Sequence, residues 1–142
     1  MALERISRNG TQLSRISVCL GLSVATVITG LVLRLVPLGI PYSITKYGGS
    51  ALWAVMVYLL MAAGMPRVRP AHLAAVVVAF AWAVELSRLF HSPGMDAFRL
   101  TLAGALLLGR VFSWWHLLIY GLAIGLTAIA DDVMSGRGRS LK

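Results

Sequence analysis

The sequence predicts an all-α protein, a polytopic transmembrane helix bundle with four spans and one further short helix that either spans or re-enters. Three observations lead there. Apolar residues make up 58% of the chain and charged residues only 13%, about half the ~25% usual in soluble proteins. The apolar residues fall into long runs without charge. Basic residues gather at the ends of those runs, where a membrane protein meets anionic headgroups. The chain has 142 residues, the length of one domain. It divides into a cytoplasmic N-terminal segment (1–14), a helix bundle (15–132) and a flexible basic tail (133–142).

A spanning helix needs ~20 mostly apolar residues to cross ~30 Å of hydrocarbon. The first candidate, Ile16 to Leu33, is uncharged between Arg15 and Arg34. It is long for a signal-peptide core and has no small-x-small cleavage pattern near its end, so it reads as a retained helix. The second, Tyr47 to Met65, stops at Pro66, a helix terminator. The third, Leu73 to Phe90, is apolar as far as Val84 and then carries Glu85 and Arg88. The fourth, Val111 to Ala130, runs without a fixed charge to Asp131 and Asp132.

A fifth segment, Met95 to Gly109, follows a break at Pro93 and Gly94. It reads as helical over roughly 22 Å at ~1.5 Å per residue. That is short for a crossing, and Asp96 and Arg99 lie near its start. Ser113 is placed to cap the last helix through its hydroxyl, with Trp114 and Trp115 at the interfacial belt.

Basic flanks set the orientation. With the N-terminus cytoplasmic, Arg5, Arg8, Arg15, Arg67 and Arg69 lie inside, against Arg34 and Lys46 outside. This is the arrangement of a multi-pass protein of the inner (plasma) membrane. A re-entrant fifth segment would put the tail inside as well, and a spanning one would put it outside. Either way the turn from His91 to Asp96 lies on the outer side.

The formal charge of +8 could suggest nucleic acid, but such a partner needs a basic stripe on one folded face. Here the basic residues, including Arg137, Arg139 and Lys142 in the tail, flank apolar runs, and the expected partners are membrane lipids. Gly121 and Gly125 are four apart, a spacing that lets helices approach closely in lipid, and Ala128 extends it. This supports packing within the chain and a homo-oligomer equally. Cys19 is the only cysteine, so no intrachain disulfide can form.

The stretch that can carry chemistry runs from Glu85 to Arg99. Glu85 and Arg88 are three apart and share a helix face, and Asp96 and Arg99 repeat the spacing. A charge at the bilayer centre costs ~2.5 kcal/mol or more, so these groups are expected to pair, Glu85 with Arg99 and Arg88 with Asp96. The expected ligand site comprises Glu85, Arg88, His91, Asp96 and Arg99, with Arg34 at its rim. The competing reading is a structural ion cluster. No cofactor pattern is present, and Glu85, His91 and Asp96 lack a metal-ligand spacing. His116 reads as an interfacial residue with a wet tip. Asp131 and Asp132 sit where the helix dipole disfavours carboxylates, and Arg137 or Arg139 could offset them.

The order of blocks resembles a small bacterial integral-membrane family of unknown function, domain of unknown function 2809, distantly similar to VanZ. The blocks are Lys46 to Ala54, Glu85 to His91, Asp96 to Arg99, Gly104 to Gly109, and Phe112 to Trp114 with Tyr120. Arg88 stands where VanZ-like proteins usually have Gln, and His116 where they often have Asp. The resemblance implies a cell-envelope role and carries Glu85, Asp96 and Arg99 over as site residues. It implies no established reaction. Three functions fit, in this order: binding of an anionic lipid headgroup or lipid-linked envelope precursor, small oligomeric proton-coupled transport with Glu85 titrating, and intramembrane catalysis with His91 as general base.

Overall fold

The computed structural model describes residues 2–37, 39–101, 103–104 and 112–135, and for residues 2–11 the backbone alone. Five helices occur among them: α1 (Ala2–Leu35), α2 (Tyr42–Gly64), α3 (Pro70–Ser87), α4 (Pro93–Leu100) and α5 (Trp114–Met134). Four of these, α1, α2, α3 and α5, are long and apolar enough to cross a membrane. α5 runs two residues past the expected end of the bundle at 132, and 136–142 of the expected tail, with Arg137, Arg139 and Lys142, lie outside the described residues, as do 102 and 105–109 of the expected fifth segment.

Helix ends follow local chemistry. Gly39, at φ 65°, makes the turn before α2 in a conformation that costs other residues strain. Pro70 opens α3 at a position where its missing N–H leaves no bond unmade. Ser92 caps α4, its hydroxyl accepting from Met95 N–H at 3.4 Å, and Pro93 follows it. Thus Pro93 and Gly94 sit inside the first turn of α4, and α3 has already ended at Ser87. α1 carries on unbroken past the expected boundary at residue 14, back to Ala2. At 34 residues it is roughly 50 Å long and outreaches the hydrocarbon core.

α2 is the hub, packing against α1, α3 and α5, while α3 and α5 also pack on each other. The buried faces keep helical spacing: Ala54, Tyr58 and Ala62 on α2, Leu73, Val77, Ala81 and Val84 on α3, and Tyr120, Ile124 and Ala128 on α5. Alanines at the centre allow the close approach on which packing in lipid depends. Ala128 is in this core. Gly121 and Gly125 lie beside it, half-buried, and a Cβ at either would meet nothing within 4 Å. Outward, α5 presents Leu118, Leu122, Leu126, Ile129 and Val133.

Paired residues give the directions of the helices. Ser23 meets Met56 and Arg15 reaches Pro66, so α1 and α2 are antiparallel. Tyr47 meets His116 and Tyr58 meets Asp131, so α2 and α5 are parallel. Trp82 Nε1–H donates to Leu117 O at 3.2 Å while Glu85, further along α3, meets Ser113 at the start of α5, so α3 and α5 are antiparallel. The end of α3 and the start of α5 therefore share one face of the bundle. Both ends of the segment between them lie on that face, which removes the spanning alternative. Met134 lies on the opposite face, together with Arg15 and the α2–α3 turn.

Candidate functional site

The bundle end where α3 stops, α4 lies and α5 starts will be called the rim. Glu85 is fully buried there, in the last turn of α3. Its Oε1 accepts from the Ser113 backbone N–H at 2.9 Å and lies 3.0 Å from His116 Nδ1. Its Oε2 accepts from the Tyr120 hydroxyl at 3.1 Å and pairs with Arg88 Nη1 at 2.5 Å. Arg88 also reaches His116 Nδ1 at 3.3 Å and the Tyr120 hydroxyl at 3.4 Å. A buried carboxylate demands such a set of donors, because an unmatched one is costly.

The second pair is separate. Arg99 Nη1 donates to Asp96 Oδ1 and to Phe90 O, each at 3.0 Å, and Nη2 donates to Ser87 O at 2.6 Å. Arg99 thereby ties α4 to the carbonyls left open where α3 ends. Both ion pairs form within a helix. The expected cross-pairing of Glu85 with Arg99 and Arg88 with Asp96 does not occur, because Glu85 points into the bundle toward α5 while Arg99 turns back onto the α3 terminus.

His91 is exposed, with Nδ1 3.3 Å from Leu89 O. Arg34 is exposed in the last turn of α1. The structure thus brings Glu85 and Arg88 into one cluster and Asp96 and Arg99 into its neighbour, and leaves His91 and Arg34 on the surface of the same rim. Tyr42, Phe90, Trp114 and Trp115 are all exposed around it, as the aromatic belt requires.

Two expectations are corrected. His116 is not wet at its tip: it is 5% exposed and lies against Glu85. The polar core that α3 and α5 bury together gives it a partner that outweighs the interface. Ser113 occupies the cap position of α5, but its hydroxyl makes no cap bond. Its backbone N–H serves Glu85 instead. The missed residues, His116 and Tyr120, are four apart on an otherwise apolar helix, and that polar spacing on one face was the available signal.

The partner of Asp131 also differs from expectation. Arg15 donates to it from Nε at 2.9 Å and from Nη2 at 2.5 Å, and the Tyr58 hydroxyl donates at 2.8 Å. Ser135 Oγ adds a fourth bond at 3.1 Å. Arg15 Nη1 meanwhile donates to Pro66 O at 2.6 Å. This clamp joins α1, α2 and α5 on the face opposite the rim. A cleft of about 130 Å³ beside it, lined among others by Cys19, Leu59, Thr127 and Met134, lies among α1, α2 and α5.

Among the described residues no three His, Cys, Asp or Glu side chains come together as a metal site. Among the described residues, His116 Nε2 and Trp53 Nε1 are buried without a protein partner. Both rings pack on Tyr120, at centroid distances of 5.9 and 5.4 Å.

Fold and site together define a multi-pass α-helical membrane protein with a buried ionic network at one end of its bundle. The chain belongs to the family described as protein of unknown function (DUF2809), which matches residues 40–125. The match takes in α2, α3, α4 and the rim network, and leaves out α1, Arg15 and Asp131. No solved structure matches the chain.

Proposed function

We propose that this protein serves the bacterial cell envelope by binding, at the rim, the anionic headgroup of a lipid or of a lipid-linked envelope precursor. The observation that carries this is the concentration of basic groups there. Arg34, Lys46, Arg88 and Arg99 outnumber the two rim carboxylates, Glu85 and Asp96, at the level of an exposed aromatic belt. Guanidinium groups match phosphate oxygens in both geometry and charge. Glu85 and Asp96 hold Arg88 and Arg99 in fixed places, which lowers the ordering cost of binding. His91 and Arg34 stand at the entrance. The opposite face carries Arg15, Arg67 and Arg69, so the positive-inside rule makes it cytoplasmic and turns the rim outward in the plasma membrane. The distant likeness to VanZ points to the same compartment.

Native mass spectrometry from mild detergent tests this. Wild type should retain a phospholipid or polyprenyl-phosphate mass, and Arg99→Ala should lose it while still melting cooperatively. Bare protein in both samples would sink the reading. An Arg99→Ala chain that no longer folds would mark the pair as purely structural.

A second reading has its own support. Glu85 is fully buried on α3 yet hydrogen-bonded to His116 and Tyr120 on α5. As an oligomer, the protein could couple solute movement to protonation of Glu85. That reading requires pH-dependent flux in liposomes that disappears in Glu85→Gln. Flux indifferent to Glu85→Gln would end it.

A further inference from the structure

We propose that the end of the bundle opposite the rim is a docking surface for an acidic helical segment of a soluble cytoplasmic protein, gripped by a basic row on α1 and by Arg67 and Arg69 of the α2–α3 turn. The inference is independent of what the rim binds. It takes from the proposed function only the cytoplasmic placement of this end.

The first support is register. Arg5, Arg8, Gln12 and Arg15 follow one another at steps of three and four along α1, so they share one helix face. The same steps lead on to Cys19 and Ser23, both buried against the bundle. The bundle-side face of α1 therefore continues beyond the bundle as a basic row. Among the described helices α1 packs on α2 alone, and α2 ends level with Arg15, which donates to Pro66 O. The row before Gln12 thus extends past the end of its helix partner. The second support is a cleft of about 310 Å³ at the foot of that row, lined among others by Gln12 on α1 and by Pro66, Arg67 and Val68 of the turn. It falls at the small end of the ~300–1,000 Å³ range of ligand pockets, room enough for an apolar side chain. Arg67 and Arg69 are both exposed beside it.

Charge and height select the partner. Arg15 and Asp131 are spent on each other, and Arg5, Arg8, Arg67 and Arg69 outnumber Glu4 and Asp132, so the partner is acidic. Height separates a protein from a lipid. Arg15, level with the end of the α2 span, marks the hydrocarbon edge. The headgroup layer reaches about 5–8 Å beyond that edge. At ~1.5 Å per residue along α1, Arg8 stands roughly 10 Å beyond Arg15, and Arg5 roughly 15 Å. Headgroups therefore reach the α2–α3 turn, whereas the far end of the row lies past them. A helix laid beside α1 with carboxylates at the same steps of three and four would meet the row residue by residue, as charged flanks do in paired helices. One apolar residue of that helix would enter the cleft.

The test uses the purified full chain in phosphatidylcholine nanodiscs, with binding read by fluorescence anisotropy. The probe is a labelled helical peptide carrying glutamates at steps of three and four around one leucine, beside its glutamine counterpart. The glutamate peptide should bind, more weakly as salt shortens the screening length from ~10 Å at 0.1 M, and the glutamine peptide should not. Arg5→Gln combined with Arg8→Gln should weaken binding roughly two- to thirtyfold, and so should Arg67→Gln combined with Arg69→Gln. Both variants should melt as wild type does. Gln12→Glu, which sets a like charge in the cleft, should weaken binding as well. Equal affinity in the Arg5→Gln and Arg8→Gln variant, or equal binding of the two peptides, would overturn the docking surface. Peptide binding that vanishes once phosphatidylglycerol is added to the discs would also overturn it, by assigning these arginines to lipid headgroups.

Discussion

Each end of the bundle buries one carboxylate, and each carboxylate collects four donors. At Asp131 the donors are themselves used up: Arg15 sends its remaining nitrogen to the Pro66 carbonyl. At Glu85 one donor is an imidazole whose far nitrogen is unmatched. Saturating the acid therefore does not distinguish a structural ion pair from a candidate site. The capacity left on the acid's partners does. By that measure the Arg15–Asp131 clamp fastens α1 and α5 to α2, while the rim network keeps a buried imidazole nitrogen without a protein partner.

The largest expected difference comes from cutting the clamp. Asp131→Ala strands a buried guanidinium, and breaking such a pair costs about 3–5 kcal/mol. Thermal melting in detergent should show it, and an unchanged melt would place Arg15 in lipid headgroups instead. Tyr58→Phe removes one bond to the same carboxylate and should cost roughly 1.5–3 kcal/mol without altering lipid retention. A loss of retained lipid in Tyr58→Phe would erase the contrast between the two ends.

At the rim, a Cβ on Gly104 would run into the Phe98 carbonyl. Gly104→Ala should cost about 1–3 kcal/mol and loosen the chain after α4, read as faster proteolysis between α3 and α5. Smallest of all, Gly121→Ala and Gly125→Ala should shift stability by under about 0.5 kcal/mol, since a methyl there meets nothing within 4 Å. A drop in oligomer mass in those variants would show that the expected small-residue contact lies between chains.

Much of this architecture was legible in the chain. Apolar runs between Arg15 and Arg34, or ending at Pro66, announce spans because lipid leaves a helix few other options. The suspected rim residues also sit at one end, as their closeness in sequence implies. The pairings were not legible. The spacing of Glu85 and Arg88 permits a pair within one helix, but the short turn at Pro93 and Gly94 pointed instead to Arg99 and Asp96 on the next helix. Arg15 and Asp131 are 116 residues apart, and nothing local marks them as partners. His116 stands beside two tryptophans and reads as interfacial until Glu85 is seen to need it. The directions of α3 and α5, which put both flanks of the fifth segment at one end of the bundle, were not legible either.

The contrast between a closed clamp and an open rim is tested most directly by lipid-induced stabilisation. Wild type, Tyr58→Phe and Glu85→Gln would each be melted with and without phosphatidic acid. A ligand at a hundred times its Kd stabilises by about 2.7 kcal/mol. Wild type and Tyr58→Phe should gain that stabilisation equally from their different starting points, and Glu85→Gln should gain none. Equal gains in all three, or a loss confined to Tyr58→Phe, would contradict the assignment of the site to the rim.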